Sequence, residues 1–160
     1  MNQLLSDSSI LVLGAYGLAG RAIVKRLAET TPYAIVAAGR SSDKLQSVLK
    51  EMDTGEHVRG LTLDATDSAA LREACDRASF VINAVGPFAR NGATIAKIVI
   101  ECGRPYLDCA NEQTHYRALL ELDDAARRQG VPMITAAGAI PGVSTLVVMR
   151  LRELLQQATQ

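Results

Sequence analysis

The sequence predicts an α/β protein built on a doubly wound parallel sheet of about six strands, with helices on both faces. Three observations support this fold class. Apolar runs suited to strands alternate six times with helical patterns, and the connections between them are short. The run AIVAA at 34–38 is apolar on both faces, as an inner parallel strand is. A G-x-x-G-x-x-G pattern spans the first strand-to-helix turn, with glycines at Gly14, Gly17 and Gly20.

The elements follow from apolar periodicity and from residues that start or stop helices. The predicted strands cover 10–13, 34–38, 58–63, 80–83, 105–107 and 133–136. The predicted helices cover 18–29, 43–49, 68–76, 92–102 and 112–128, with a last one within 143–160. Asp67 or Ser68 suits the cap of the third helix, and Gly103 suits the left-handed position after the fourth. A polar loop is predicted over 51–57.

The first strand-to-helix turn has the character of a dinucleotide-binding bend. Gly14 permits a tight turn, Gly17 lets the main chain approach a pyrophosphate, and Gly20 lets the helix lie close to the strand. The N–H groups and the positive end of the helix then point at that anion. The alternative is that these glycines only pack a helix on a strand. Because the bend follows the first of six alternating strands, it predicts the Rossmann fold, with cofactor across the carboxyl ends of the strands.

In such a fold the residues that follow each strand face the ligand, and this rule selects the candidate cofactor-binding residues. They are Gly14, Ala15, Tyr16, Gly17, Leu18, Ala19, Gly39, Arg40, Ser41, Asp64, Ala65, Ala84, Val85, Gly86, Pro87 and Asp108. The same rule extends to 109–112 and 138–141. Asp64 is placed to accept from the adenine amino group, or else it caps a turn. The Gly86-Pro87 pair approaches the pyrophosphate and nicotinamide ribose, or else it is only a rigid turn.

The end of the second predicted strand favours NADP over NAD. NAD-selective sites place an Asp or Glu there, about 20 residues beyond the glycines, to accept from the ribose hydroxyls. This chain has Gly39 and Arg40 instead, and a planar guanidinium binds the 2′-phosphate of NADP in a fork. A cation just before a helix start also opposes the helix dipole unless an anion accompanies it. Ser41, Ser42 and Lys44 add donors, and the alternative is a solvated arginine.

Composition and charge exclude several classes of function. Lys plus Arg and Asp plus Glu each number 17, so no net basic field exists to hold nucleic acid or an anionic membrane. No apolar stretch approaches the ~20 residues of a membrane span, and the first ten residues do not resemble a secretory signal. We therefore expect a cytoplasmic protein that binds a small molecule, without nucleic-acid or membrane partners.

The sequence assigns no catalytic residue and no metal site. Cys75, Cys102 and Cys109 lack C-x-x-C spacing and are typical of reduced thiols in a protein core. His57 falls in a polar loop and His115 lies within a helix, so neither is favoured as a general acid. No tyrosine is followed by a lysine four positions on, which counts against a standard short-chain dehydrogenase.

Six segments together resemble the N-terminal NAD(P)-binding domain of the saccharopine dehydrogenase-like family of oxidoreductases. They read LVLGAYGLAGRAIV, AAGRS, LDATD, VINAVGPFARNG, YLDCANEQ and TAAGAIPGVS. The resemblance implies that Asp108, Asn111 and Glu112 lie near the nicotinamide end of the cofactor. Capping of a helix also explains the carboxylates of Asp108 and Glu112, which lie four residues apart. Asn111 stands where many relatives carry Gly.

The resemblance also implies a domain organisation. Residues 1–142 form the NAD(P)-binding domain, and residues 143–160 form a helix that leads into a second domain, which would complete the substrate cleft. We therefore expect an NADP-dependent oxidoreductase whose substrate is bound with that second domain, and a homo-oligomer is possible in this class. The alternatives are a stand-alone NADP-binding sensor or interaction module, and an atypical short-chain reductase.

Overall fold

The computed structural model describes residues 9–52 and 54–158 of the chain. Its strands are β1 Ser9–Leu13, β2 Ala34–Gly39, β3 Val58–Thr62, β4 Phe80–Asn83, β5 Tyr106–Asp108 and β6 Met133–Ile134. Its helices are α1 Leu18–Thr30, α2 Ser42–Met52, α3 Ser68–Asp76, α4 Phe88–Glu101, α5 Gln113–Leu120, α6 Asp123–Gln129 and α7 Ser144–Ala158, the last preceded by an irregular helical turn, Ala139–Val143. Of the predicted ranges, residues 1–8, 53, 159 and 160 lie outside the described part.

The strands form one sheet in the order β3-β2-β1-β4-β5-β6, and the five pairings within the described residues are parallel. β1 therefore lies between β2 and β4, with Leu13 beside Ala38 on one side and Asn83 on the other. Chain progression reverses at β1, so the crevice outside its carboxyl end is the topological switch point where such sheets bind ligands. The predicted doubly wound fold is confirmed.

The core consists of two apolar layers, one on each face of the sheet. Leu11 and Leu13 of β1 join one layer, which packs against α3, α4 and α5. Val12, pointing the other way, joins the second layer, which packs against α1 and α2. Alternate side chains of a strand point to opposite faces of the sheet. An inner strand is covered on both faces, so consecutive residues along it are apolar. Each fully buried Leu or Val contributes about 1.5–3 kcal/mol.

Helix ends with strong local signals agree with the sequence. The Asp67 side chain caps α3 by accepting from the N–H groups of Ala69 and Ala70 at 3.0 and 3.1 Å. Gly103 and Gly130, which follow α4 and α6, both have φ of +66°. This left-handed backbone is open to glycine at little cost.

Four predicted elements differ from the structure by more than one residue at a boundary or by a break. α2 continues to Met52, so residues 51 and 52 do not belong to the predicted loop. α4 begins at Phe88 rather than at 92, because a carboxylate distant in sequence caps it. The predicted helix over 112–128 is two helices, α5 and α6, and Asp123 and Asp124 provide the negative charge that favours a new helix start. β6 ends at Ile134, since the next residues turn to bind a buried carboxylate.

The last helix projects from the domain. The described side chains of α7, residues 144–157, are exposed, and they include an apolar set: Leu146, Val147, Val148, Met149, Leu151, Leu154 and Leu155. Within the described residues, no helix combines the length and the apolar character needed to cross a membrane.

Replacing Gly20 by Ala is expected to destabilise the domain. A Cβ at Gly20 would lie 2.1 Å from the carbonyl oxygen of Gly14, so α1 would have to move away from β1. We expect the free energy of unfolding to fall by about 1–3 kcal/mol, as is usual for overpacking, measured by urea denaturation. Gly86→Ala is the control, because a Cβ there would meet no atom within 4 Å. Equal stability of the two variants would contradict the packing argument.

Candidate cofactor site

A cleft of about 400 Å³ lies outside the carboxyl ends of β1, β2, β3 and β4. Its lining consists of Leu13, Gly14, Tyr16, Gly17, Ala38, Gly39, Arg40, Leu63, Asp64, Ala65, Thr66, Ala84, Val85, Gly86, Pro87, Arg90 and Asn91. The cleft therefore occupies the topological switch point of the sheet. A second, smaller cavity of about 190 Å³ lies along the edge strand β3 and α3, away from this crevice.

The glycine bend forms the floor of the cleft. Gly14 has φ of +76°, and a Cβ there would lie 2.8 Å from the carbonyl oxygen of Ala84. The N–H of Gly17 donates to the Gly14 carbonyl at 2.9 Å, which closes the turn. Gly17 is also the N-cap of α1 and has no side chain with which to cap it. The first N–H groups of α1 are therefore available to a ligand, and the positive end of the helix dipole is directed toward them.

The side of the cleft near β2 carries a tyrosine and an arginine. A Cβ at Gly39 would lie 2.5 Å from Cε1 of Tyr16, so the tyrosine ring rests directly on the bare backbone of β2. Arg40 follows at once, and its side chain is exposed to the cleft. Only glycine at position 39 allows this stacking without displacement of the ring.

Asp64, which follows β3 on the same side of β1 as Arg40, caps a turn. Its Oδ1 accepts from the N–H and the hydroxyl of Thr66 at 2.9 and 2.7 Å. These hydrogen bonds, together with the nearby Arg40 charge, hold the pKa of Asp64 below its ordinary value despite some desolvation. Turn capping, which the sequence offered as the alternative role of Asp64, is therefore present in the structure. The contact of Asp64 with adenine stays a prediction.

The structure brings most of the predicted cofactor residues together. Those that line the cleft are Gly14, Tyr16, Gly17, Gly39, Arg40, Asp64, Ala65, Ala84, Val85, Gly86 and Pro87. Ala15 is buried in the core, Leu18 is 90% exposed, and neither they nor Ala19 line the cleft. Ser41 lies beside the cleft, and its hydroxyl accepts from the N–H of Lys44 at 3.4 Å.

Three polar residues that line the cleft, Thr66, Arg90 and Asn91, are not among those predicted from the sequence. Arg90 and Asn91 lie in the first turn of α4, which starts earlier than its periodicity indicates. Once Phe88 is the first helical residue, positions 90 and 91 lie at the end of the helix that borders the cleft. The NAVGPFARNG motif therefore predicts that residues 90 and 91 border the cleft only if the start of α4 at Phe88 is known.

Asp108 is not in the cleft, contrary to the placement predicted for it. Its side chain is fully buried, and four donors surround its carboxylate. Oδ2 accepts from Nε2 of His115 at 2.7 Å, while Oδ1 accepts from the N–H groups of Ala110 and Ala136 at 3.1 and 3.0 Å and from the Thr135 hydroxyl at 2.8 Å. Since a carboxylate can only accept, Nε2 of His115 carries the proton. The sequence offers no local signal for this pair.

The hydrogen bonds to Asp108 keep it ionised. Burial by itself raises the pKa of this carboxyl, but the bonds from His115, Ala110, Ala136 and Thr135 outweigh it and leave the pKa below the ordinary value. Ala136 has φ of +59°, an unusual conformation for a residue other than glycine. Asp108 thus holds the strained turn between β6 and the irregular turn that leads to α7.

Glu112 has a separate task and does not pair with Asp108. Its carboxylate oxygens accept from the N–H groups of Phe88 and Asn111 at 3.0 and 3.1 Å. Glu112 therefore caps the N-terminus of α4 from a loop 24 residues further along the chain. Burial raises its pKa, and these bonds more than compensate, so the pKa lies below the ordinary value. Glu112 thus caps a helix, as the sequence allowed, but that helix is α4 and not α5, which follows Glu112 in the chain.

Asp108→Asn is expected to destabilise the fold in a pH-dependent way. Removing one buried charge that four donors satisfy should lower the free energy of unfolding by about 2–4 kcal/mol at neutral pH. The folded pKa of Asp108 is depressed, so its stabilisation is complete above the unfolded value of about 3.9 and is lost as the pH falls through the folded value. Urea unfolding over a pH series from about 7 to about 3 should therefore show the two proteins converging in acid.

Asp64→Asn is the matched control, because that carboxyl also has a lowered pKa but is exposed to solvent. Its replacement should change stability little at any pH. A difference between wild type and Asp108→Asn that stayed constant into acid would rule out the ionised, buried carboxylate.

Comparison with known proteins agrees with this architecture. Residues 10–134 match the family model of the saccharopine dehydrogenase NADP binding domain. The chain is similar to the lipid droplet localized protein of Caenorhabditis elegans, with 30% identity over 143 residues, 84% of this chain and 34% of that protein. It is also similar to the saccharopine dehydrogenase-like oxidoreductase of Rattus norvegicus, with 27% identity over 146 residues, 81% of this chain and 34% of that protein.

Among solved structures, apo saccharopine dehydrogenase (L-Glu forming) of Saccharomyces cerevisiae has the same fold. Its TM-score is 0.77 at 20% identity, over 95% of this chain and 32% of that chain. The chain thus spans about a third of the length of these relatives. The predicted family and its NADP cofactor are confirmed. The described fold and the match over residues 10–134 place the chain in the saccharopine dehydrogenase NADP binding domain family.

Proposed function

We propose that this domain holds NADP(H) along the cleft at the switch point and presents its nicotinamide to a substrate bound by another part of the protein. The observation that carries the proposal is the uncapped, side-chain-free start of α1 at Gly17, beside an exposed guanidinium at Arg40. The donor set fits the group: backbone N–H groups for a pyrophosphate and a planar cation for a terminal phosphate. A Cβ at Gly14 would collide with Ala84, so this floor has no room for a side chain.

The lining residues divide between the two halves of a dinucleotide. Residues that follow β2 and β3, including Arg40 and Asp64, would hold the adenosine half. Residues 84–87, which follow β4, would hold the nicotinamide half. When bound, NADPH supplies the hydride of an oxidoreductase reaction, while the protein's task is to bind, orient and exclude water.

Arg40 is the residue that we assign to selectivity for NADP. Its described electrostatic interaction is with Asp64, whose carboxylate already accepts two hydrogen bonds from Thr66. The Arg40 side chain forms no ion pair with any residue in 9–52 or 54–158, so its fork of guanidinium donors is available for a phosphate dianion. The Ser41 hydroxyl accepts from the N–H of Lys44 in the first turn of α2, and the positive end of that helix lies at residue 42, close after Arg40 in the chain.

Arg40→Ala is expected to remove the preference for NADPH. The 2′-phosphate would lose a charge-assisted, forked hydrogen bond, so NADPH affinity should fall by about tenfold or more. NADH, which has no 2′-phosphate, should bind as before. Calorimetric titration of both nucleotides measures the ratio. Arg117→Ala, which removes an exposed arginine of α5 outside the cleft, controls for net charge. An unchanged NADPH/NADH affinity ratio would refute the assignment of Arg40.

We further propose that residues 1–142 form the cofactor domain and that residues 143–160 lead into a substrate domain. Support comes from α7, on which Leu146 and Leu151 are 65% and 54% exposed. Exposed apolar surface of this extent is typical of a face that another structure covers. On this proposal the chain by itself holds an incomplete active site. Reading the coding sequence beyond Gln160 separates it from a stand-alone module. A cytoplasmic location and a homo-oligomer stay predictions.

Replacing Leu146 and Leu151 together by Gln is expected to leave the stability of this chain unchanged, within about 0.5 kcal/mol. Both side chains are exposed and contribute little to the core of this domain. Leu119→Gln, at a buried position of α5, should cost about 2–4 kcal/mol and serves as the comparison. Urea denaturation measures both. A loss in the α7 variant as large as that at Leu119 would mean that α7 belongs to the domain core.

A further inference from the structure

Arg90 is a charged residue of the cleft to which the fold assigns no task. It lies in the first turn of α4 and lines the cleft together with its neighbour Asn91. Its backbone N–H donates to the Pro87 carbonyl at 3.2 Å, which fixes its position on the turn. Its guanidinium makes no hydrogen bond or ion pair with any residue in 9–52 or 54–158.

Several helical arginines of this chain are paired, whereas Arg90 is not paired with any described residue. Arg21, Arg72 and Arg127 each pair with a carboxylate of their own or a neighbouring helix. The first turn of α4 has no acidic residue, and a cation at that end opposes the helix dipole. Glu112 does supply a carboxylate to this helix start, but both of its oxygens accept backbone N–H groups. An unpaired guanidinium at this position is therefore unfavourable unless an anion joins it.

The sheet topology places the segment that leads to Arg90 beside the glycine bend. β4 is the direct neighbour of β1, and a Cβ at Gly14 would lie 2.8 Å from the Ala84 carbonyl oxygen and 3.2 Å from Cγ2 of Val85. The start of the segment that leads from β4 to Arg90, residues 84 and 85, thus borders the bend directly. Arg40 follows β2, on the opposite side of β1. The two arginines therefore follow strands on opposite sides of β1, and both line the cleft whose floor is the glycine bend.

A dinucleotide laid across this arrangement carries phosphates at two places. The pyrophosphate, common to NAD and NADP, belongs at the start of α1, and the 2′-phosphate of NADP belongs at the adenosine end near β2. We propose that Arg90 donates to the pyrophosphate oxygens from the β4 side, an assignment that rests on the proposed NADP(H) site. Arg90 and Arg40 then have different tasks. Arg90 contributes affinity for both nucleotides, and Arg40 distinguishes between them.

The test compares Arg90→Ala with the wild type in calorimetric titrations of NADPH, NADH and ADP-ribose. ADP-ribose retains the pyrophosphate and lacks the nicotinamide. Arg90→Ala should weaken all three by a similar factor of about ten, as expected for the loss of a charge-assisted hydrogen bond. Arg90→Lys should recover part of the affinity, because it restores the charge without the fork. Arg128→Ala, at an exposed arginine of α6 outside the cleft, should bind as the wild type does.

The other possible results would contradict either the assignment of Arg90 or the proposed NADP(H) site. Unchanged affinities in Arg90→Ala would overturn the assignment, and so would a loss confined to NADPH, since Arg90 would then contact the 2′-phosphate. A loss for NADPH and NADH but not for ADP-ribose would place Arg90 at the nicotinamide and would overturn it as well. If the wild type binds none of the three, the proposed function fails first. Because Arg90 is exposed, thermal unfolding of Arg90→Ala should match that of the wild type and exclude misfolding as the cause.

Discussion

The absence of side chains at Gly14 and Gly20 is the steric constraint on which the remainder of this structure depends. A Cβ at Gly20 would lie 2.1 Å from the Gly14 carbonyl oxygen, and a Cβ at Gly14 would lie 2.8 Å from that of Ala84. Three backbones, those of β1, α1 and the β4–α4 segment, therefore meet without intervening atoms. The same contact that packs the domain also brings free N–H groups of α1 to the floor of the cleft, so packing and ligand binding have one cause.

Two polar centres lie at the carboxyl end of this sheet, and their hydrogen bonding separates their roles. The carboxylate of Asp108 is buried and receives four hydrogen bonds, which leave it no capacity for a ligand. Arg40 and Arg90 border an open cleft and lack carboxylate partners at ion-pair distance among the described residues. A satisfied buried group stabilises, whereas an exposed group with unused donors binds.

A prediction from sequence agrees with the structure where the contacts that fix an element lie close to it along the chain. The range predicted for α3, 68–76, is the range found, because Asp67 caps it from the adjacent position. The start of α4 was missed, since its cap, Glu112, lies 24 residues away. The cleft was largely predicted, because residues after parallel strands meet at one edge whatever the rest of the chain does. Asp108 obeys that positional rule, but His115 and Thr135 draw its carboxylate into the interior.

The sequence by itself determined the fold class, the glycine bend, the family and the NADP cofactor, because periodicity, glycine spacing and short motifs are local properties of the chain. Only the tertiary structure decided that Asp108 is buried beside His115, that Glu112 caps α4, and that Arg90 borders the cleft. The physical reason is the same in each case. Hydrogen bonds and desolvation act between groups that folding brings together, and a residue's own sequence neighbourhood does not state which partners those will be.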